Sequence, residues 1–525
     1  VARPLNPLIS GSRGDPARPV KLRLGAIVCL VSAIAGCTVG PDFQPPAVPA
    51  VVSFLPATSP HRPTSGDAVS GQLLVRGVEI PHRWWVSFGS SALNALIEDG
   101  LRHNADLEAA EAAVRMAQAN ALAQRSSLFP VVGASFDSGR QGTPSRTLAS
   151  NAASGANIYS LHTAQLTVSF VPDVFGGARR QIESSEALTE VQAFQRDGLA
   201  LTLASNIAVA AIQEGSLRAQ IGAVQRLIGI QNQLLAVLRR QHAAGQIAMQ
   251  DVVSQETALA QSRLLLPPLE KQLGQQRNLL AFLTGRLPAE GVRPTFHLTS
   301  FRLPRKIPIG LPGDLVRRRP DVRAAEANLH ALNAQIGVAI ANRLPQITLS
   351  GNAGSSADAL SRLFSPGTGI WMLAGSVAQS IFDAGAREYR QRAAEAATAQ
   401  AAAQYRSTVL AAFQNVADVL RTLQADSKTV AAAAVAEVSA DKNIGLVRKQ
   451  LDEGQISVPA LISAQQAYLQ IALTRVQAQA AQLADTVALY QALGGDWTER
   501  PPALPAPVRL AHEETAISAD PHYAQ

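Results

Sequence analysis

The sequence predicts a mainly helical protein with a smaller β part that meets lipid, the whole plan laid down twice along one chain. Three observations carry this. Two stretches, roughly 178–243 and 386–452, read as single helices. At ~1.5 Å per residue each would be on the order of 100 Å long, deeper than an ordinary globular domain. Short motifs recur in the same order at nearly one offset. Gly245-Gln246-Ile247 returns as Gly454-Gln455-Ile456, Leu283-Thr284-Gly285 as Leu493-Gly494-Gly495, Phe175-Gly176-Gly177-Ala178-Arg179 as Phe382 to Arg387, and Phe129-Pro130 as Leu344-Pro345. Finally, 164–171 and 346–352 alternate apolar with small polar residues, the period of a strand with unlike faces.

Composition agrees with helix over sheet. The 525 residues are 47% hydrophobic, 5% aromatic and 16% charged, and the long stretches are rich in Ala, Gln, Leu, Arg and Glu. The net charge of +7 is partly an N-terminal matter, since Arg3, Arg13, Arg18, Lys21 and Arg23 face only Asp15 before Cys37. What remains is too small a charge for so large a chain to favour nucleic acid. The two cysteines, Cys29 and Cys37, share one apolar segment and do not suggest a disulfide framework.

Lys21 and Arg23, the apolar run Leu24 to Ile34, and Ala35-Gly36-Cys37 form a charged, an apolar and a small-residue region in turn. That is a signal peptide over 1–36, too short for an ordinary spanning helix. Ile34-Ala35-Gly36-Cys37 resembles a bacterial lipobox, which implies acylation of Cys37 and a lipid anchor; Thr38, in place of an aspartate, leans towards the outer membrane. A plain secretory signal is the alternative. Val20 offers a second start, which would make 1–19 an over-extended reading.

Residues 37–86 read as a lipidated, extended tether, rich in Pro, Ser, Val and Gly up to residue 82. The first repeat is expected over 87–300 and the second over 301–498. Leu93, Leu96, Ile97 and Leu101 open the first with helical spacing. Each half then shows a helix ending near Pro130 or Pro345, two strands, a long helix, a Gly-Gln-Ile turn and a returning helix. Ile462, Leu469, Val476, Leu483 and Tyr490 recur every seven residues, with Gln466, Leu473, Ala480 and Val487 as the partner series, a heptad seam that keeps neighbouring helices side by side. Leu266, Leu273 and Leu280 repeat the spacing, but Pro267-Pro268 should kink or break that helix, an asymmetry between the halves. The strands are expected near 131–140, 164–173, 346–353 and 370–382. Residues 499–525 read as a disordered tail.

Four strands cannot close a membrane barrel, and open edges are not tolerated in lipid. The strands must therefore be shared among copies, although physics alone does not give their number.

The chain resembles the TolC-like outer membrane factor family, in the lipoprotein (NodT-type) branch of resistance-nodulation-division efflux systems. The resemblance covers nearly all of 37–498. It rests on Arg318 to Glu326 (RRPDVRAAE), Ala334 to Ala339 (AQIGVA), Cys37 to Phe43, Pro172 to Gly177, and Leu489 to Trp497. It implies a homotrimer with a helical periplasmic tunnel, a shared twelve-stranded barrel in outer-membrane lipid, and two partners, a periplasmic adaptor (membrane fusion) protein and an inner-membrane pump. It also implies an acidic gate at the periplasmic helix turns. Asp251 occupies the matching position of the first turn, and serves there either as gate charge, as N-cap of the returning helix, or as both. At the second turn Ala460 and Ser463 stand where relatives often carry acids, so Asp452 and Glu453, flanking the turn, and Ile456 complete the candidate gate. Closure would then lean on packing of Ile247, Val252 and Ile456. Pro320 and Asp321 favour a structural reading of their run, as the start of a helix.

An enzyme finds little support. The nine histidines show no metal-ligand spacing, and no glycine-rich phosphate loop precedes a helix, so neither metal nor cofactor is expected. A periplasmic adaptor or structural coiled-coil lipoprotein would lack both the duplication and the membrane-type strands. A channel for type I protein secretion shares the fold and is the nearer alternative.

Overall fold

The computed structural model describes residues 38–47, 54, 68–69, 72–76, 80–142, 158–309 and 312–495. The expected signal peptide, Cys37, half of the tether and the tail lie outside the described residues. In chain order the elements are β1 (Ala68–Val69), β2 (Gln72–Arg76), α1 (Ser91–His103), α2 (Ala105–Arg125), β3 (Val131–Gly142), β4 (Ile158–Phe170), α3 (Gly177–Ala243), α4 (Met249–Leu264), α5 (Leu266–Leu283), β5 (Lys306–Ile309), α6 (Pro312–Arg318), α7 (Pro320–Ala341), β6 (Gln346–Ala357), β7 (Gly369–Ala378), α8 (Ala386–Asp452) and α9 (Val458–Ala492).

The two long helices fall where the sequence placed them, each 67 residues in length. Pro267 and Pro268 break the returning helix as expected: α4 stops at Leu264 and α5 restarts with the prolines in its first turn. Their missing N–H groups cost nothing there, because the first turn has no intrahelical acceptors to serve. The second half lacks the prolines, and α9 runs unbroken for 35 residues. Among the described residues no helix is long and apolar enough to cross a membrane.

The chain forms two compact units. One takes the residues up to Asp42 with Gln124–Glu183 and Asn333–Glu395; the other takes Phe43–Ala123, Ser184–Leu332 and the residues from Ala396 on. The first unit holds a four-stranded antiparallel sheet in the order β3-β4-β6-β7. Two strands end earlier than expected. β4 stops at Phe170 rather than 173, since Pro172 has no N–H for a ladder. β7 stops at Ala378 rather than 382, because Asp383 is committed to the helix start, accepting the N–H groups of Gly385 and Arg387.

The second unit is held by a continuous apolar core. Trp84 stacks on Tyr490 with ring centroids 5.4 Å apart, and Phe88 meets both edge-on. Leu93, Leu96 and Ile97 of α1 bury against Ile207 and Ala208 of α3, and Leu483 and Val487 of the heptad seam join the same core. Of the seam, Gln466 is exposed and the central Leu473 and Val476 are half-buried. A small sheet in the order β1-β2-β5 lies in this unit.

The RRPDVRAAE run is a helix start, as its residues suggested. Pro320 is the first residue of α7, and the Asp321 carboxylate accepts from its neighbour's N–H at Val322 (2.9 Å) and binds Arg319 (2.7 Å). Arg319 also donates to the carbonyl of Ala492, at the end of α9, at 2.6 Å.

Candidate functional site

The sheet has two unlike faces. Residues paired directly across antiparallel strands share a face, so the register settles which side chains stand together. One face carries Val132, Ala134 and Phe136 of β3, Ala164, Leu166, Val168 and Phe170 of β4, Ile347, Leu349, Gly351 and Ala353 of β6, and Trp371, Leu373, Gly375 and Val377 of β7. None of these is polar, and the same face turns polar only towards the far ends of the strands, at Ser138, Arg140, Ser160, His162 and Ser355. Trp371 is 82% exposed, Leu373 81% and Val377 70%. The other face is polar along β4 and β6, with Thr163, Gln165, Thr167 and Ser169 and then Gln346, Thr348, Ser350 and Asn352, and mixed at the edges, with Val131, Ser135 and Asp137 on β3 and Ile370, Met372, Ala374 and Ser376 on β7. A soluble sheet would cover the apolar face with protein; this one leaves it bare, with strands of 10 to 13 residues. Such lengths cross a bilayer when tilted.

The segment after Cys37 is seated against the same unit. Val39 N–H donates to the carbonyl of Phe175 (3.1 Å), and Asn333 donates to the carbonyl of Pro41 (3.1 Å). Arg180 bonds the carbonyls of Val39 and Gly40 and the carboxylate of Asp42 (2.6 Å). Glycines make the approach possible: a Cβ on Gly40, whose φ is +95°, would lie 2.5 Å from the Cα of Gly337. Thr38, the residue following Cys37, lies against Gly176 at the entry to α3.

The two helical turns are built alike. Gly245 (φ 71°) and Gly454 (φ 74°) take the left-handed conformation. Each donates three residues back, to His242 or Leu451, and the following glutamine donates five back, to Gln241 or Gln450. This closes both long helices by one bonding pattern, which is the physical content of the repeated Gly-Gln-Ile.

The candidate gate residues gather at these turns, with two corrections. Asp251 is not an N-cap. Ala248 holds that position, and Asp251 sits in the first turn of α4, where its charge complements the helix dipole. Val252 is not available to close a mouth: it is buried with Leu235, Leu238, Val458 and Ile462 in a core that ties α3, α4 and α9, and Ile247 packs against that core. Ile456 is half-buried, and Asp452, Glu453 and Ser463 are exposed. Ser463 donates to the carbonyl of Pro459 one turn back (3.0 Å). Between α4 and α9 a cavity of about 550 Å³ is lined by Met249, Val253, Thr257, Pro459, Ile462 and Gln466. Motif reading found the turns but not this groove, whose walls come from helices two hundred residues apart.

The family model described as "Outer membrane efflux protein" matches residues 96–286 and again 311–495. The pyoverdine export outer membrane protein OpmQ of Pseudomonas putida is 29% identical over 461 residues, 86% of this chain and 97% of that protein. A probable efflux pump outer membrane protein, TtgC, of the same species is 29% identical over 473 residues, 89% of this chain and 94% of that protein. Among solved structures, the outer-membrane channel OprN superposes with a TM-score of 0.77 at 28% identity, over 88% of this chain and all of that one.

Proposed function

The chain belongs to the outer membrane efflux protein family, and from that premise we propose that it acts as the trimeric outer-membrane channel of a tripartite efflux pump. The observation that carries this is the bare apolar face of the four-stranded sheet, backed by a face that is polar along its two central strands, β4 and β6. Lipid covers the first and water the second if three copies close one twelve-stranded barrel, which removes the unpaired edges of β3 and β7. Acylation of Cys37 adds an anchor beside the strands. The long hairpins form the walls of a passive tunnel, through which small molecules leave after an inner-membrane pump and a periplasmic adaptor deliver them. The channel performs no chemistry on them.

At the periplasmic end the turns around Gly245 and Gly454 converge and narrow the passage. Asp251 supplies like charges near the axis, with Asp452 and Glu453 close by, and Ile456 the apolar contact between copies. The groove between α4 and α9 is the surface on which an adaptor docks. A type I secretion system would use the same fold, and the pump encoded beside the gene distinguishes the two.

The test is the mass of the purified protein in detergent, together with its conductance in planar bilayers. A trimer that conducts ions supports the reading, and a stable, non-conducting monomer ends it. Mass spectrometry of the mature N-terminus checks the anchor; an unmodified terminus at another residue removes it.

A further inference from the structure

We propose that the cavity between the end of α7 and the start of α8 is a subsite for anionic solutes, with Arg390 and Arg387 as its charged donors; the inference rests on the channel reading above. The cavity measures about 470 Å³ and is lined by Arg387, Arg390, Gln335, Asn342 and Gln346. Its charge is unbalanced. Arg387 lies 3.6 Å from Asp383, but that carboxylate already accepts two backbone N–H groups. Of the other nearby acids, Glu388 is paired with Arg392 (2.6 Å), and Glu395, which accepts only from the neutral amide of Gln391 (2.8 Å), does not line the cavity, whose charged lining is the two arginines. Among the described residues, Arg390 has no hydrogen-bond or ion-pair partner, and the side-chain amides of Asn342 and Gln346 are likewise unengaged. Both arginines stand in the first two turns of α8, the end at which the helix dipole is itself positive. A cavity that gathers two guanidinium groups and two free amides at that end favours an oxyanion, such as a carboxylate, sulfate or phosphate group, which arginine can hold through two parallel bonds.

The polar side of the sheet identifies the source of that oxyanion. Gln346 is the first residue of β6 and opens the polar row Gln346, Thr348, Ser350 and Asn352. The cavity therefore continues the face assigned to water, and its occupant is a dissolved anion in transit, not a lipid headgroup. With three copies the subsite recurs around the passage and favours anions against the acidic turns at the other end of the long helices.

The experiment uses the full-length trimer in planar bilayers of phosphatidylcholine, with reversal potentials read in a KCl gradient and inorganic phosphate as the probe. Arg390→Gln is expected to raise the cation-to-anion permeability ratio about twofold at low salt, and Arg390→Lys to restore it. Phosphate should reduce the wild-type chloride current and leave that of Arg390→Gln unaffected. Equal ratios and equal phosphate responses in wild type and Arg390→Gln overturn the subsite while leaving the channel. A wild-type effect of Arg390 seen only when phosphatidylglycerol is added assigns the oxyanion to lipid and overturns it as well. If Arg390→Gln trimers dissociate in detergent while Arg390→Lys trimers hold, Arg390 is a subunit contact and the subsite fails. A wild-type protein with no pore removes the channel reading, and this inference with it.

Discussion

Gly40 and Gly337 meet backbone to backbone, a contact that no other pair of residues would permit. A Cβ on Gly337 would lie 2.7 Å from Cγ of Arg180 and 2.9 Å from the carbonyl oxygen of Val39; one on Gly40 would lie 2.5 Å from a Cα and also carry the strain of φ +95°. Gly40→Ala should therefore unseat the N-terminal segment at a cost of about 1–3 kcal/mol, from strain and overpacking together. The expected signs are a lower thermal midpoint and faster proteolysis near residue 40. Gly229→Ala is the control, since a Cβ there meets nothing within 4 Å and alanine suits a helix interior better than glycine. Both glycines belong to motifs legible in the sequence, but their pairing across nearly three hundred residues was not: no local period announces a close approach between distant segments. Asp251 shows a different case, in which one of two expected roles, the N-cap, falls to Ala248 instead. With the N-cap taken by Ala248, its charge is free to act on the passage. Asp251→Asn should lower cation preference at low salt, whereas Ser463→Ala, whose hydroxyl only bonds its own helix, should change little. An unchanged selectivity in Asp251→Asn would leave that carboxylate a helix-dipole partner and nothing more.

At the scale of elements, the α8–α9 hairpin was the most legible part of the chain. Its heptad spacing placed α9, and the Gly-Gln-Ile turn fixed where the chain reverses; the seam itself, at Ile462 and Leu469, buries against α3 and α4 of the first half. The turn also sets the layers across the hairpin. Glu437 pairs with Arg475, and Asp426 faces Asp485, both pairs centred on the Gln455–Ile456 turn. The second layer is unusual, since two acids oppose each other. Burial, a hydrogen bond to Asp426 and that neighbour's charge together raise the Asp485 carboxyl from its ordinary 3.8 to about 7. One oxygen of Asp426 is buried without a partner. The sign follows from linkage: a carboxyl whose pKa is raised by folding stabilises the folded state when protonated, and that contribution is lost as pH rises from about 4 through about 7. The thermal midpoint of the purified protein should fall across that window, and Asp485→Asn should flatten the fall and raise the midpoint at pH 8. A wild-type profile that is level, or that rises through this range, would show the pair is not sharing a proton. Sequence periodicity could not reveal the pair, because both positions simply read as polar places on helices. The strands were less legible than the helices for a related reason. β4 alternates cleanly, but in β7 the water-side positions are Ile370, Met372 and Ala374, so the period blurs and the expected end overran by four residues.

For the whole molecule, the decisive property is that the bare apolar face and the edges β3 and β7, which pair with no further strand among the described residues, belong to the same sheet. Covering the face with another protein layer would leave the edges open, and pairing the edges with soluble strands would leave the face wet. Closure of several copies into a barrel within lipid satisfies both at once, which is why oligomerisation could be argued before any relative was considered, while the number three could not. The register makes this testable at a single step along one strand. Leu373 lies on the apolar face opposite Gly351, and Met372 lies on the polar face opposite Asn352. Arginine at a lipid-facing position near the bilayer midplane costs about 2–4 kcal/mol, and far less at a position facing water. Leu373→Arg should therefore sharply reduce the amount of heat-resistant trimer recovered from outer membranes, whereas Met372→Arg, its immediate neighbour, should leave the yield near wild type and shift only ion selectivity. Equal tolerance of the two substitutions would mean that both faces meet water, and the barrel reading would fail.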